Sequence, residues 1–184
     1  MLGFSALRTG VGYLAVALTA VVMSGVSQAL VTRFGVKPVL ASGLTLLGLG
    51  LVYFTQISVD GSYLVDLLPG FLLVGIGMGF SFVPISIAAL AGVESREAGL
   101  ASGLINTSQQ IGGALGVAVM TTIYTNKSDS AVKDGVAPLQ ALVDGFSLAF
   151  WAGAAFMLVS VIATLVVLRR RELESAAPEG VPVA

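Results

Sequence analysis

The chain has 184 residues, of which 56% are hydrophobic and 10% are charged, and its mean hydropathy is +0.97. Soluble domains carry about a quarter charged residues, and a soluble chain of this size has too small an interior for so much apolar surface. A net charge of −1 gives no basis for nucleic-acid binding, and the lack of Cys and His excludes thiol chemistry, zinc sites and imidazole catalysis.

Charged residues divide the chain into five long uncharged windows. A helix needs about 20 residues to cross a hydrocarbon core of about 30 Å, so each window fits one crossing. The windows do not alternate as barrel strands do. They predict an all-α, polytopic transmembrane bundle over residues 1–168, with five spans at Val11–Val31, Val39–Ile57, Leu67–Leu90, Gly99–Ile123 and Phe146–Leu168.

The first two spans differ in where their polar residues lie. Ser24, Ser27 and Gln28 come near the end of the first span, where such side chains typically form hydrogen bonds between helices. A short basic turn, Arg33–Lys37, follows. The second span is largely apolar, with Tyr53 as an interface anchor, and it is expected to face lipid.

The third span is rich in glycine and proline. Gly75 and Gly79 form a small-xxx-small pair, which favours close helix packing, and Pro84 removes a backbone hydrogen bond and should bend the helix. Packing alone explains this pattern, and so does a helix made deformable for alternating access. Three side chains of this span are candidates for ligand contact or for the core: Met78, Phe80 and Phe82.

The fourth span carries three amide side chains on one stripe of a helical wheel, close to Asn106. The amides are Asn106, Gln109 and Gln110. The opposite side is apolar. An amide facing hydrocarbon without a partner costs several kcal/mol, so this stripe requires protein or a wet cavity. The amides either join helices or line a substrate path. The glycines of this span expected to serve helix packing or hinge motion are Gly99, Gly103, Gly112, Gly113 and Gly116.

A polar connection from Asn126 to Asp144, with Gly135 and Pro138 as breakers, leads to the fifth span, which is apolar and expected to face lipid. The tail, residues 169–184, is expected to be disordered. Placing the C-terminus in the cytoplasm puts six of the nine basic residues on the inner side, which follows the positive-inside rule. With five spans, the N-terminus of the chain is then extracellular.

Three stretches carry a resemblance to a known family: GLASGLINTSQQIGGALGVAV from Gly99, PGFLLVGIGMGFSFVP from Pro69, and FSALRTGVG from Phe4. They resemble the C-terminal half of the fourteen-helix drug:proton antiporter branch of the major facilitator superfamily. The resemblance covers nearly the whole chain and implies that the five spans are the last five helices. It also implies that the second and fifth spans lie outermost, the first and fourth between the two halves, and the third along the central cavity.

A weaker resemblance lies in Gln28–Lys37, where the family repeats a cytoplasmic loop motif. Arg33, Gly35 and Lys37 match that motif. Gln28 stands in place of its glycine and Thr32 in place of its acid, which weakens any claim that an ion pair latches this loop.

The family resemblance implies an exporter of hydrophobic, drug-like compounds in the plasma membrane, driven by inward proton flow. No ionisable residue lies inside the spans, and the family's coupling carboxylates lie in the N-terminal half, so the chain is expected to need that half and to be inactive alone. The expected partners are lipid, the missing half, a small hydrophobic substrate and protons, with no cofactor. The alternative is a small membrane scaffold or assembly subunit. An enzyme is not expected, because a Ser without a base is not a catalytic site.

Overall fold

The computed structural model describes residues 6–59 and 63–168, and every regular element within them is helical. The five long helices are α1 (Ala6–Phe34), α2 (Val36–Phe54), α3 (Leu68–Leu90), α4 (Ala98–Lys133) and α5 (Pro138–Val167). A π-helical segment, Tyr63–Leu67, leads directly into α3. The predicted all-α bundle is confirmed. The prediction of a disordered tail at 169–184 lies outside the described residues.

Glycines mark three of the helix connections. Gly35 between α1 and α2, Gly92 after α3 and Gly135 after α4 have φ values of 84°, 77° and 82°. Glycine adopts this left-handed conformation without steric cost, which is why it commonly ends helices. Pro138 then occupies the first turn of α5, where a missing N–H costs no helical hydrogen bond.

The connection predicted from Asn126 to Asp144 is wrong in extent. α4 continues to Lys133 and α5 begins at Pro138, so only four residues, Asp134–Ala137, join the two helices. Polar composition favours a position outside hydrocarbon, but it does not stop the backbone from continuing its helical hydrogen bonds. Ser128 and Ala131, both buried, let α4 pack closely on α5 beyond the predicted span.

Contacts at the glycines fix the direction of each helix. Gly43 of α2 meets Ser81 of α3, whereas Gly50, further along α2, meets Val74, so α2 and α3 are antiparallel. The same argument makes α1 and α3 parallel and α2 and α5 antiparallel. The connections α1–α2 and α3–α4 therefore lie at one end of the bundle, called here the Gly35 end. The α2–α3 and α4–α5 connections lie at the other, the Gly135 end.

α3 occupies the centre of the packing. It lies against α1 on one side and α2 on the other, α2 also packs on α5, and α4 packs chiefly on α5. The buried apolar side chains are few and mostly small or branched, which suits helices that meet at short distances. Large apolar side chains such as Val21, Leu100 and Val166 are about 70% exposed, as expected for surfaces that meet lipid.

Within the described residues, four helices are long and apolar enough to cross a membrane: α1, α2, α3 with its π-helical segment, and α5. α4 is the longest helix, with 36 residues, but it is less apolar and does not belong to this group. A crossing by Gly99–Ile123 therefore stays a prediction. The amide and hydroxyl side chains of this stretch lower its hydropathy, and the three amides form the polar stripe of α4.

Candidate functional site

The amide stripe of α4 lies on the surface of the bundle. Asn106, Gln109 and Gln110 are all exposed, and their side chains form no hydrogen bond with any part of the chain that the structure describes. The neighbouring Thr107 donates its hydroxyl hydrogen to the Gly103 carbonyl one turn earlier, at 2.9 Å, and so satisfies itself within the helix. An amide group has two N–H donors and an acceptor oxygen, so a single carbonyl of its own helix cannot satisfy all of them. The stripe therefore needs partners from outside the described chain.

The apolar side of α4 is also open. Leu100, Leu104, Ile111 and Leu115 are between 57% and 70% exposed. None of the five α4 glycines expected in packing has a neighbour within 4 Å of the position of an added Cβ: Gly99, Gly103, Gly112, Gly113 and Gly116. The first two-thirds of α4 thus presents both a polar and an apolar face without cover, and the packing role predicted for these glycines stays a prediction.

The last third of α4 is held firmly by α5. The rings of Tyr124 and Phe146 lie 4.3 Å apart between centroids. At Gly145 a Cβ would lie on top of the Ser128 hydroxyl and 2.7 Å from the Tyr124 carbonyl, so the two helices touch at backbone distance. α4 is therefore anchored near the Gly135 end while its amide stripe projects from the bundle towards the Gly35 end.

The glycine pair of α3 lies in the contact with α1. A Cβ on Gly75 would come 2.9 Å from Thr19, and one on Gly79 would come 2.7 Å from the Ala20 carbonyl and 2.7 Å from Met23. Gly77 faces the other way, where a Cβ would come 2.8 Å from the Gly43 carbonyl of α2. Pro84 is inside α3 and fully buried.

The three ligand candidates of α3 do not share one face. Met78 and Phe82, one turn apart, are 47% and 64% exposed, whereas Phe80 is half-buried with its backbone against Gly43. Only Met78 and Phe82 are therefore placed to meet a molecule outside the described bundle.

The loop motif residues separate into three different environments. Arg33 is exposed in the last turn of α1, and Gly35 forms the left-handed turn. Lys37, in the first turn of α2, reaches the neighbouring helix, and its ammonium group donates a hydrogen bond of 2.7 Å to the Leu165 carbonyl in the last turn of α5. Nothing in the local sequence signals this bond, because its partners lie 128 residues apart.

Sequence reasoning also missed a chain of aromatic rings. Neighbouring ring centroids lie between 4.3 and 6.3 Å apart and join all five long helices. The members, in order of contact, are Tyr13, Phe71, Phe54, Phe150, Phe146 and Tyr124. Single aromatic residues in apolar helices carry no signal of such contacts. These ring contacts join the helices near the Gly135 end of the bundle. Apolar cavities of about 210 and 310 Å³ lie beside Phe146 and Phe150.

Comparison with known proteins gives consistent matches over most of the chain. The model of the family described as Major Facilitator Superfamily matches residues 1–183. The puromycin resistance protein pur8 of Streptomyces alboniger is 32% identical over 180 residues, which cover 94% of this chain and 36% of that protein. The cephamycin export protein CmcT of Amycolatopsis lactamdurans is 30% identical over 182 residues, 98% of this chain and 35% of that protein.

A third relative, the quinolone resistance protein NorB of Staphylococcus aureus, is 24% identical over 172 residues, which cover 92% of this chain and 35% of that protein. This chain therefore spans about a third of the length of the relatives it matches. The stretch matched by the family model, residues 1–183, includes the whole of α3 and α4.

Proposed function

Because this chain belongs to the major facilitator superfamily, we propose that it is the C-terminal portion of a secondary active exporter of hydrophobic, drug-like compounds in the plasma membrane. We further propose that the intact transporter belongs to the fourteen-helix branch and is driven by protons. This chain alone is proposed not to transport. The relatives named for resistance to puromycin and quinolones and for cephamycin export support the substrate class.

The open stripe of α4 is the observation that carries the proposal. Each unsatisfied polar group in hydrocarbon costs several kcal/mol, and three amides stand on one side of this helix. A scaffold that spans the membrane by itself would have to leave Asn106, Gln109 and Gln110 in lipid or remove α4 from the membrane. In a transporter the same stripe meets other helices or the wet substrate path.

The exposed side of α1 supports the same conclusion. Tyr13, Leu14, Leu18 and Val21 are 52% to 72% exposed, although α1 packs tightly on α3 through Thr19 and Met23. In the resemblance, α1 and α4 are the two helices that lie between the halves.

The distribution of carboxylates supports inactivity of the chain alone. In the described residues, the acidic side chains lie near helix ends or connections: Asp66, Glu94, Glu97, Asp129, Asp134 and Asp144. Proton coupling needs a titratable group that reaches both sides of the membrane in turn. That group is expected in the part of the transporter that this chain lacks.

Reconstitution in liposomes tests the proposal. The purified chain, placed in liposomes with a pH gradient and a fluorescent hydrophobic dye, should show no proton-dependent dye movement. Liposomes that also contain pur8 without the third that this chain matches should show it, because the two parts restore a complete transporter. Transport by the chain alone contradicts the inactivity, and no transport by the pair, with both parts folded and bound to each other, contradicts the exporter function.

A further inference from the structure

The larger of the two cavities beside Phe146 and Phe150 lies between α2, α4 and α5, and its volume is about 310 Å³. Small-molecule sites in proteins have volumes of about 300–1,000 Å³, so this cavity is large enough for a small compound. Two small buried residues of α5, Ala149 and Gly153, lie one turn apart in its lining. Because neither has a large side chain, the space between the three helices stays open.

Three aromatic rings line this cavity. The centroids of Tyr124 and Phe146 lie 4.3 Å apart, and their ring planes differ by 30°. The planes of Phe146 and Phe150 differ by 24°, with centroids 6.3 Å apart. The rings therefore form a row with shallow angles between neighbours. A flat aromatic molecule can extend such a row by offset stacking, whereas a lipid acyl chain gains only apolar contact from it.

Two hydroxyl groups supply polar contacts at the same cavity. Thr121 and Tyr124 both line it, and neither hydroxyl forms a hydrogen bond with any part of the chain that the structure describes. Neighbouring threonines differ, since Thr122 donates to the Ala118 carbonyl at 2.8 Å and Thr125 to the Thr121 carbonyl at 2.9 Å. Apolar and aromatic walls with a few polar groups are typical of small-molecule sites.

The cavity lies on the same face of α4 as the amide stripe. Steps of three or four residues lead along this face from Gln110 through Gly113 and Val117 to Thr121 and Tyr124. Thr121 is about 16 Å further along the helix than Gln110. The stripe is uncovered, but at Thr121 and Tyr124 the same face meets α5 and α2, so this chain supplies every wall of the cavity itself.

We propose that this cavity binds a small planar aromatic compound that carries a hydrogen-bonding group. The ring system of the compound stacks on the row formed by Tyr124, Phe146 and Phe150. Its polar group bonds at the hydroxyl groups of Thr121 and Tyr124. Because the site is complete within this chain, binding does not depend on the proposed transport function.

Energy transfer from Trp151, the only tryptophan of the chain, measures binding directly. Trp151 follows Phe150, so a molecule in the cavity lies close to its indole ring. The ligand to test is 1-aminoanthracene, which absorbs where tryptophan emits, titrated into the purified chain in lipid nanodiscs. Its emission excited through Trp151 should saturate at one molecule per chain. A signal that only rises in proportion to the added compound would reflect dissolution in lipid and would overturn the proposal.

Two neighbouring threonines of α4 provide a matched pair of variants. Thr121→Phe places a large side chain at the cavity and should remove the saturable signal. Thr122→Phe adds the same side chain at an exposed position outside the lining and should leave the signal unchanged. If both variants keep the melting temperature of the unmodified chain and both lose the signal, or both retain it, the compound does not occupy this cavity.

Removal of the two hydroxyls tests the polar contact without filling the cavity. The double variant Thr121→Val with Tyr124→Phe keeps the three rings and the approximate shape of the site. It should weaken binding of 1-aminoanthracene by about two- to tenfold, the equivalent of one lost hydrogen bond. Binding of anthracene, which has no polar group, should stay the same. Equal changes for the two compounds would contradict the role proposed for the hydroxyls.

Discussion

At the scale of single residues, Lys37 shows what local sequence conveys and what it omits. Its place after Arg33 and Gly35 indicates a basic turn at a membrane surface, and the structure confirms the turn. The bond to the Leu165 carbonyl is a separate property. The last four carbonyls of a helix have no partner within it, and a cation near them is favourable. Lys37 therefore caps a carbonyl in the last turn of α5. This contact depends on how α2 and α5 pack, so it could not be predicted from local sequence.

Removing the Lys37 ammonium group should loosen α5 from α2. We expect Lys37→Met to lower the free energy of unfolding by about 1 kcal/mol, because a hydrogen bond from a charged donor is lost. Lys127→Met is the matched control, since Lys127 is exposed and makes no ion pair in the described chain. Unfolding of the purified variants in mixed detergent measures the difference, and equal stability of the two variants would show that the bond contributes nothing.

At the scale of elements, the sequence predicts the number, order and type of the helices, because uncharged length and glycine spacing act locally along the chain. It does not predict that α4 continues to Lys133. Hydropathy indicates whether a segment favours lipid or water, but it does not show where the helical hydrogen bonds of the backbone end. It also does not predict the aromatic chain around Phe54 and Phe150, which depends on how the helices are arranged. The α4 amide stripe is visible in the sequence, but its lack of cover is visible only in the structure.

Replacing Gly79 of α3 or Gly113 of α4 by Leu should have different effects on the stability of the purified chain. Gly79→Leu should destabilise the purified chain by about 1–3 kcal/mol, because its side chain would collide with the Ala20 carbonyl and Met23. Gly113→Leu should leave the chain equally stable or stabilise it by about 0.5–1 kcal/mol, because it meets open space and replaces glycine inside a helix.

The expected effect of Gly113→Leu changes when the chain is paired with the rest of a transporter. Gly113→Leu should then impair dye movement in the paired liposome assay, because the α4 face becomes a contact surface. If Gly113→Leu destabilises the isolated chain as strongly as Gly79→Leu does, the described packing of α4 is wrong.

At the scale of the whole molecule, the two ends of the bundle define its topology. The Gly35 end holds the turns at Gly35 and Gly92, and the Gly135 end holds the hairpin between α4 and α5. The distribution of Lys and Arg predicts that the Gly35 end is cytoplasmic. This orientation follows from five crossings, so it depends on α4 lying in the membrane.

Single cysteines test the orientation, since the chain has none of its own. Ser95→Cys places a thiol at the Gly35 end and Ser130→Cys places one near the Gly135 end, both at exposed positions. In intact cells an impermeant maleimide should label Ser130→Cys and should leave Ser95→Cys unlabelled until the cells are opened. Labelling of Ser95→Cys alone in intact cells would reverse the orientation, and labelling of both would contradict an odd number of crossings between Ser95 and Ser130.

The central claim is that the polar face of α4 is a contact surface for the remainder of a transporter. Photo-crosslinking in membranes that contain this chain and pur8 without its matched third measures it most directly. A photoreactive residue at Asn106 or Gln109 should crosslink to the pur8 part, whereas one at Leu104 or Leu115, on the opposite side of α4, should crosslink to lipid. Crosslinks from Leu104 and Leu115 without any from Asn106 and Gln109 would contradict the account.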